Sequence, residues 1–258
     1  MILVAQVSDT HLDLGTRNAE RVTRVMEFLG GLTPRPLAVL HTGDVTDSGK
    51  TEQYAQAHAA LATDLPLYLT PGNHDDRAHF RTTFLDESPS DAPINQVHKV
   101  GDLTVAMLDS TIPGEPGGVL TDATFEWLRE TLAEAPADSP VLLAMHHPPA
   151  RLFSPIVDEI ALANPDHLAD LVAGDERIIG VLTGHAHAAA VTTFAGKPLL
   201  VGPSTASVLG GEWELRLPDR VMDYAPDPAV ALHVIDNGRL TTHFRTVPMG
   251  GRIDVQPD

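Results

Sequence analysis

ILVAQVS at residues 2–8 decides the architecture: this apolar, strand-like run leads straight into Asp9-Thr10-His11. The arrangement recurs along the chain. LAVLHT precedes Gly43-Asp44, LPLYLTP precedes Gly72-Asn73-His74-Asp75, PVLLAM precedes His146-His147-Pro148-Pro149, and IIGVLT precedes Gly184-His185-Ala186-His187. In an α/β sheet, ligands gather at the carboxyl ends of strands, so these loops are expected to converge on one crevice. Together they offer three carboxylates, one Asn amide and six imidazoles, from which a donor set for two neighbouring divalent cations can be drawn.

Length and composition narrow the setting. At 258 residues, 43% of them hydrophobic, the chain is long enough for one large α/β domain or two small ones with a sizeable core. No apolar run approaches the roughly 20 residues of a membrane span. Met1 leads at once into the first strand without a basic flank or cleavage site, and the tail GGRIDVQPD carries no lipidation pattern, so a cytoplasmic protein is expected. The absence of cysteine leaves only O and N donors for a metal. With 17 Lys and Arg against 35 Asp and Glu, the formal charge is −18. Such a surface repels a long nucleic acid, whereas two bound dications would still attract a small anion into the pocket.

Strands and helices alternate through the first half. Residues 17–31 and 51–63 read as amphipathic helices, and 122–134 as a helix capped at Thr121/Asp122 and ended before Pro136. HKVGDLTVAMLDS reads as a hairpin turning at Gly101-Asp102, VTTFAGKPLLVG as one turning at Gly196-Lys197, and ALHVIDNGRLTTHFRTV as one with a type I′ turn at Asn237-Gly238. Alternation first and paired strands later suggest two packed sheets covered by helices. Residues 1–205 are expected to form the core. Residues 206–258 would be a cap-like excursion and a closing β-hairpin of the same domain. Two stretches stay unassigned: the Pro/Gly loop 110–120, which could border the site, and 210–228, read as a cap, a dimer contact or a plain surface excursion.

Within the crevice, the strand period of two would point Asp9 and His11 to the same side, and His185 and His187 likewise. Asp44 suits a bridging role with one oxygen for each metal, Asn73 supplies a neutral oxygen, and His146 or His147 another imidazole. Two cations roughly 3.5–4 Å apart can hold a bridging water, lower its pKa and clamp phosphoryl oxygens during in-line displacement.

The ordered motifs D-x-H, G-D, G-N-H-D, H and G-H-x-H resemble those of the calcineurin-like metallophosphoesterases over residues 3–205. The wording SDTHLD, HTGDVTDSG, PGNHDDR, LDS and MHHPP is similar to the class III cyclic nucleotide phosphodiesterases and glycerophosphodiesterases. That resemblance implies a four-layer αββα sandwich of two mixed sheets flanked by helices. It implies a phosphodiesterase with two divalent or mixed-valence Mn, Fe or Zn ions, hydrolysing a small phosphodiester by in-line attack of a metal-bridging hydroxide. Asp9, His11, Asp44 and His187 would hold the first metal, and Asp44, Asn73, His146 and His185 the second. His146 is favoured over His147 by the same pattern. His74 would lie beside the phosphate and, with Asp44, act in catalysis.

Other readings remain at this stage. The substrate could be a cyclic nucleotide, a glycerophosphodiester or a phosphomonoester. A metal-binding interaction scaffold is the rival from another class, and a nuclease is disfavoured by the charge. A homodimer is possible. His41 reads as a packed residue or a support for the ligands. His58, His79, His98, His167, His233 and His243 read as ordinary surface or packing histidines. Asp75 could orient His74 or cap a helix, and Arg77 could touch phosphate or pair with an acid.

Overall fold

Apolar side chains on both faces of short parallel strands require cover on both sides, and the chain supplies it with helices and a second sheet. The structure, a computed structural model, describes residues 1–214 and 222–250. Strands β1 (Ile2–Val7), β2 (Ala38–Thr42) and β3 (Leu67–Thr70) alternate with helices α1 (Thr16–Gly30) and α2 (Thr51–Ala60). A short α3 (Arg77–Phe80) leads to the hairpin β4 (Gln96–Val100) and β5 (Leu103–Leu108), then to a small pair, β6 (Thr111–Ile112) and β7 (Glu115–Gly118). Next come α4 (Asp122–Glu134), β8 (Val141–Met145), α5 (Pro165–Gly174), β9 (Ile178–Thr183) and the hairpin β10 (Ala190–Phe194) and β11 (Lys197–Val201). A second small pair, β12 (Val208–Leu209) and β13 (Met222–Asp223), precedes β14 (Ala229–Asp236) and β15 (Arg239–Thr246).

The first sheet runs β15-β14-β1-β2-β3 and the second β10-β11-β9-β8-β5-β4. In the first, β1, β2 and β3 are parallel and β14 and β15 antiparallel; in the second, β5, β8, β9 and β11 are parallel. Three apolar layers fix the stacking. Val22, Val25 and Leu29 of α1 pack with Ala5, Val7 and Val39 on the outer face of the first sheet. Val4, Leu40, Leu142 and Leu182 fill the space between the sheets. Phe125 and Leu128 of α4 and Leu168 of α5 cover Leu143 and Val181 on the outer face of the second. The result is the αββα sandwich, with two mixed sheets and helices outside both.

Local signals explain most boundaries. Val22, Val25, Met26 and Leu29 recur at helical spacing on the buried face of α1. Thr121 caps α4 by accepting the Thr124 amide. Asn237 and Gly238 take φ of 50° and 73°, the left-handed pair a type I′ turn needs, between Asp236 and Arg239. The other late hairpin turns one residue earlier than expected. Phe194 pairs with Lys197, so Ala195 and Gly196 make the turn. The loop 110–120 holds the β6–β7 pair, and α3 and α5 are helices that the pattern did not announce. Within 210–228, residues 215–221 lie outside the described residues, as does most of the GGRIDVQPD tail. Among the described residues, no helix is long and apolar enough to cross a membrane.

Candidate metal centre

The parallel strands β1, β2, β3, β8 and β9 all end at the same edge of the sandwich, and the motif loops follow them. The loops are not extended. Asp9, His11, Asp44, His185 and His187 take positive φ, between 42° and 68°. Asp and His are among the few side chains that enter this region readily, and positions of this kind concentrate at functional sites. These residues leave the strand before its period applies; Asp9 and His11 still meet in one donor group, as expected, but the pairing expected for H-x-H fails. His185 and His187 go to different donor groups instead of sharing one.

The first group joins Asp9, His11, Asp44 and His187, whose donor atoms all lie within 4.8 Å of one another and whose side chains are buried. His11 Nε2 is 3.0 Å from His187 Nε2 and 3.5 Å from Asp44 Oδ2. Asp9 Oδ1 is 3.6 Å from His187 Nε2 and also accepts the His185 amide at 3.0 Å. In the second group, His146 Nε2 lies 3.1 Å from Asn73 Oδ1, 3.1 Å from His185 Nδ1 and 3.3 Å from Asp44 Oδ2. Asp44 thus turns a single oxygen to both groups. Its Oδ1 accepts the His74 amide at 2.9 Å, which is why the expected split of one oxygen per group is not seen.

Supporting contacts settle ring orientation. His146 Nδ1 donates to the Thr42 carbonyl at 2.8 Å, leaving Nε2 for the centre. His187 Nδ1 meets Ser207 Oγ at 2.8 Å, and His11 Nδ1 lies 3.6 Å from Asp47 Oδ1. His147, the alternative to His146, has a donor atom within 4.8 Å of those of His146 and His185, but both its ring nitrogens have other partners: Ser110 Oγ lies 2.8 Å from Nδ1 and the Pro116 carbonyl 3.2 Å from Nε2. His74 is exposed at the mouth. Its Nδ1 donates to the Asp47 carbonyl at 2.6 Å, and its ring stands edge-on to His11. A cleft of about 220 Å³ opens beside Asn73 and His74, bordered by Ser48, Asp76, Asp91 and the Thr111–Gly114 stretch. The unassigned loop 110–120 therefore does border the site.

The electrostatics suit a cation. Burial pushes Asp9 up to about 6, with Asp44 adding to it against the pull of His146 and His11. Burial also opposes charge on Asp44, but His146 and His11 outweigh it and hold its carboxyl well below the usual range. Burial works against an imidazolium at His146, yet Asp44 and Asp9 push it up to about 9. Burial keeps His185 and His187 neutral, well below the ordinary histidine value. His185 Nε2 is buried without a hydrogen-bond partner. Neutral imidazole lone pairs facing carboxylates in a dry cavity fit transition metals. Gly72 fits the same crowding, since a Cβ there would stand 2.2 Å from Asp44 Oδ1.

Several contributors were not foreseen. Asp47 touches His11 through its carboxylate and His74 through its carbonyl; its place three residues after Asp44 was the available signal. Asp75 neither orients His74 nor caps a helix. It accepts from the amides of Val45, Thr46 and Gly72 and from Tyr54, fastening two motif loops together, while Asp76 caps α3. Arg77 pairs with an acid: its Nε is 2.8 Å from Asp109 Oδ2. His41 is buried with Nε2 3.1 Å from Thr10 Oγ1.

Residues 2–189 match the model of the calcineurin-like phosphoesterases, and the chain belongs to that family. It is 36% identical over 213 residues to a probable cyclic nucleotide phosphodiesterase of Rhodococcus erythropolis, covering 78% of this chain and 70% of that one. It is 34% identical over 220 residues to the glycerophosphodiester phosphodiesterase GpdQ of Enterobacter lignolyticus, covering 79% and 77%. Among solved structures, the purple acid phosphatase PPD1 of yellow lupin superposes with a TM-score of 0.71 at 14% identity, over 98% of this chain. This chain spans 52% of that plant protein, and the likeness there is one of fold.

Proposed function

We propose that this metallophosphoesterase is a phosphodiesterase acting on a small phosphodiester, first of all a 3′,5′- or 2′,3′-cyclic nucleotide, with two transition-metal ions (Mn, Fe or Zn) as cofactors. The observation that carries the reading is Asp44 Oδ2, which lies 3.5 Å from His11 Nε2 and 3.3 Å from His146 Nε2 and so belongs to both donor groups. Asp9, His11, Asp44 and His187 would hold one ion, and Asp44, Asn73, His146 and His185 the other. Bound there, the cations would acidify a water and draw charge from the phosphoryl oxygens.

The chain's own residues do the rest. Thr42, Ser207 and Asp47 aim the imidazoles, which keeps the groups in one geometry through a turnover. His74 donates a hydrogen bond from Nδ1 to the Asp47 carbonyl, so a further proton on Nε2 is the one it can offer towards the cleft. In that state it donates to a phosphoryl oxygen or protonates the departing alcohol, which would occupy the cleft beside it. The formal charge of −18 sets a long nucleic acid aside as substrate. We read residues 206–258 as part of the same domain and the protein as cytoplasmic; sedimentation of the purified chain tests a homodimer.

Turnover of 3′,5′- and 2′,3′-cyclic AMP, a glycerophosphodiester and p-nitrophenyl phosphate, each with Mn²⁺, tests the proposal. A cyclic nucleotide should be hydrolysed fastest. A higher kcat/KM for the monoester would overturn diester specificity, and preference for the glycerophosphodiester would support the second reading, which the similarity to GpdQ favours.

A further inference from the structure

The layer between the two sheets is apolar around Val4, Leu40, Leu142 and Leu182, yet β1 places a glutamine into it. Gln6 is fully buried, and each polar atom of its amide is used. Nε2 donates to Thr42 Oγ1 at 3.0 Å and to the Thr183 carbonyl at 2.9 Å. A carbonyl can only accept, so nitrogen must stand on that side of the amide. Oε1 then accepts from His233 Nε2 at 3.1 Å, and His233 Nδ1 is left to accept from Thr242 Oγ1 at 2.8 Å. His233, one of the histidines that read as ordinary, is itself fully buried.

Both N–H groups of the amide lead towards the second donor group. Thr42 is the residue whose carbonyl holds His146 Nδ1; its hydroxyl also donates to Ser8 Oγ at 2.8 Å, the residue before Asp9 of the first group. Thr183 precedes Gly184 and His185 and lies in the other sheet. One amide therefore ties the strand end that aims His146 to the strand end that carries His185, across the interface between sheets. The amide is also boxed in, because a Cβ on Gly202 would stand 2.6 Å from Nε2.

We propose that Gln6, supported by His233, is a positioning residue for the second metal ion: it sets the spacing of His146 and His185, not of the first donor group. This rests on the assignment of two ions to the two groups. A buried polar group retained only for stability would be replaceable by an apolar pair of similar shape, and that distinction gives the test.

Metal content and the affinity of each site are measured by elemental analysis and Mn²⁺ titration, with thermal melting alongside. Wild type should hold two ions. Gln6→Leu should weaken the second by about 10–100-fold, the usual effect of losing a ligand's support, and leave the first unchanged. It should also melt lower, since His233 then keeps a buried donor unpaired. The double variant Gln6→Leu/His233→Leu should regain much of the melting temperature without regaining the second ion. Return of the ion together with stability would show a structural role only and overturn the proposal, as would equal weakening of both ions or wild-type affinity in Gln6→Leu. Should that variant fail to fold, Gly202→Ala displaces the amide without removing it and should give the same selective loss. A wild type holding fewer than two ions would defeat the two-ion assignment itself, and this proposal with it; two ions kept at full affinity in every variant would defeat only the proposal.

Discussion

The two donor groups that meet at Asp44 are built on different principles. The first surrounds its centre with two carboxylates and two imidazoles, Asp9, Asp44, His11 and His187. The second shares Asp44 but adds no further carboxylate, only Asn73, His146 and His185. Charge attracts a cation over a distance, whereas neutral donors must already stand in the right places. The supports differ accordingly. The first group leans on the side chains of Ser207 and Asp47, while His146 is held by a backbone carbonyl and His185 Nε2 has no partner. The lesson is that the first site should fill first and the second should be the more easily emptied.

Removing the shared residue tests this comparison most severely. Asp44→Ala should lose both ions by elemental analysis and reduce turnover by orders of magnitude while circular dichroism stays native; near-native turnover would refute the shared role. His74→Ala should lose about 10²–10⁴-fold in kcat, the usual share of a proton-transferring group. Both ions should stay bound, and the loss should shrink for a p-nitrophenolate leaving group; a departed metal would place His74 inside a donor group instead. Asn73→Ala should empty the second site alone, whereas Ser207→Ala should weaken the first by about 10–100-fold. Competitive Mn²⁺ titration separates the two, and identical profiles would erase the distinction drawn here.

One further effect lies away from both groups and leaves the ions untouched. Burial holds His233 down at about 3, below its ordinary value of 6.5. Above pH 6.5 neither folded nor unfolded chain protonates it, so no stability is lost there. As pH falls from 6.5 towards 3 only the unfolded chain takes up the proton, and stability declines by up to about 1.4 kcal/mol per pH unit. His233→Gln should flatten urea-denaturation free energies over that window; an unchanged slope would show that His233 accepts a proton while folded.

Much of this was legible beforehand, for identifiable reasons. The apolar runs before Asp9, Asp44, Asn73, His146 and His185 announce strands, and a parallel sheet gathers their ends. Asn237-Gly238 carries its turn type in two letters. What the sequence concealed depends on backbone conformation or on long-range pairing. Nothing in H-A-H says that His185 and His187 sit at φ of 68° and 49°, so the strand period misdirects there. Asp47, Ser207 and Gln6 are common polar residues until the fold sets them against His11, His187 and Thr183. The β6–β7 pair escaped notice because Pro and Gly mask its strands, and α5 because its Pro165 start looked like loop.

The pairing of β14 with β1, register Ile2 to Ile235 through Gln6 to Ala231, bears on the order of assembly during synthesis. The strand that delivers Asp9 and His11 is made first, yet its second neighbour emerges from the ribosome more than two hundred residues later. Until then β1 has an open edge, and His233 is not there to meet Gln6. A nascent chain stalled before residue 229 holds every donor of both groups but lacks that flank, and should therefore bind Mn²⁺ more weakly than the full chain does.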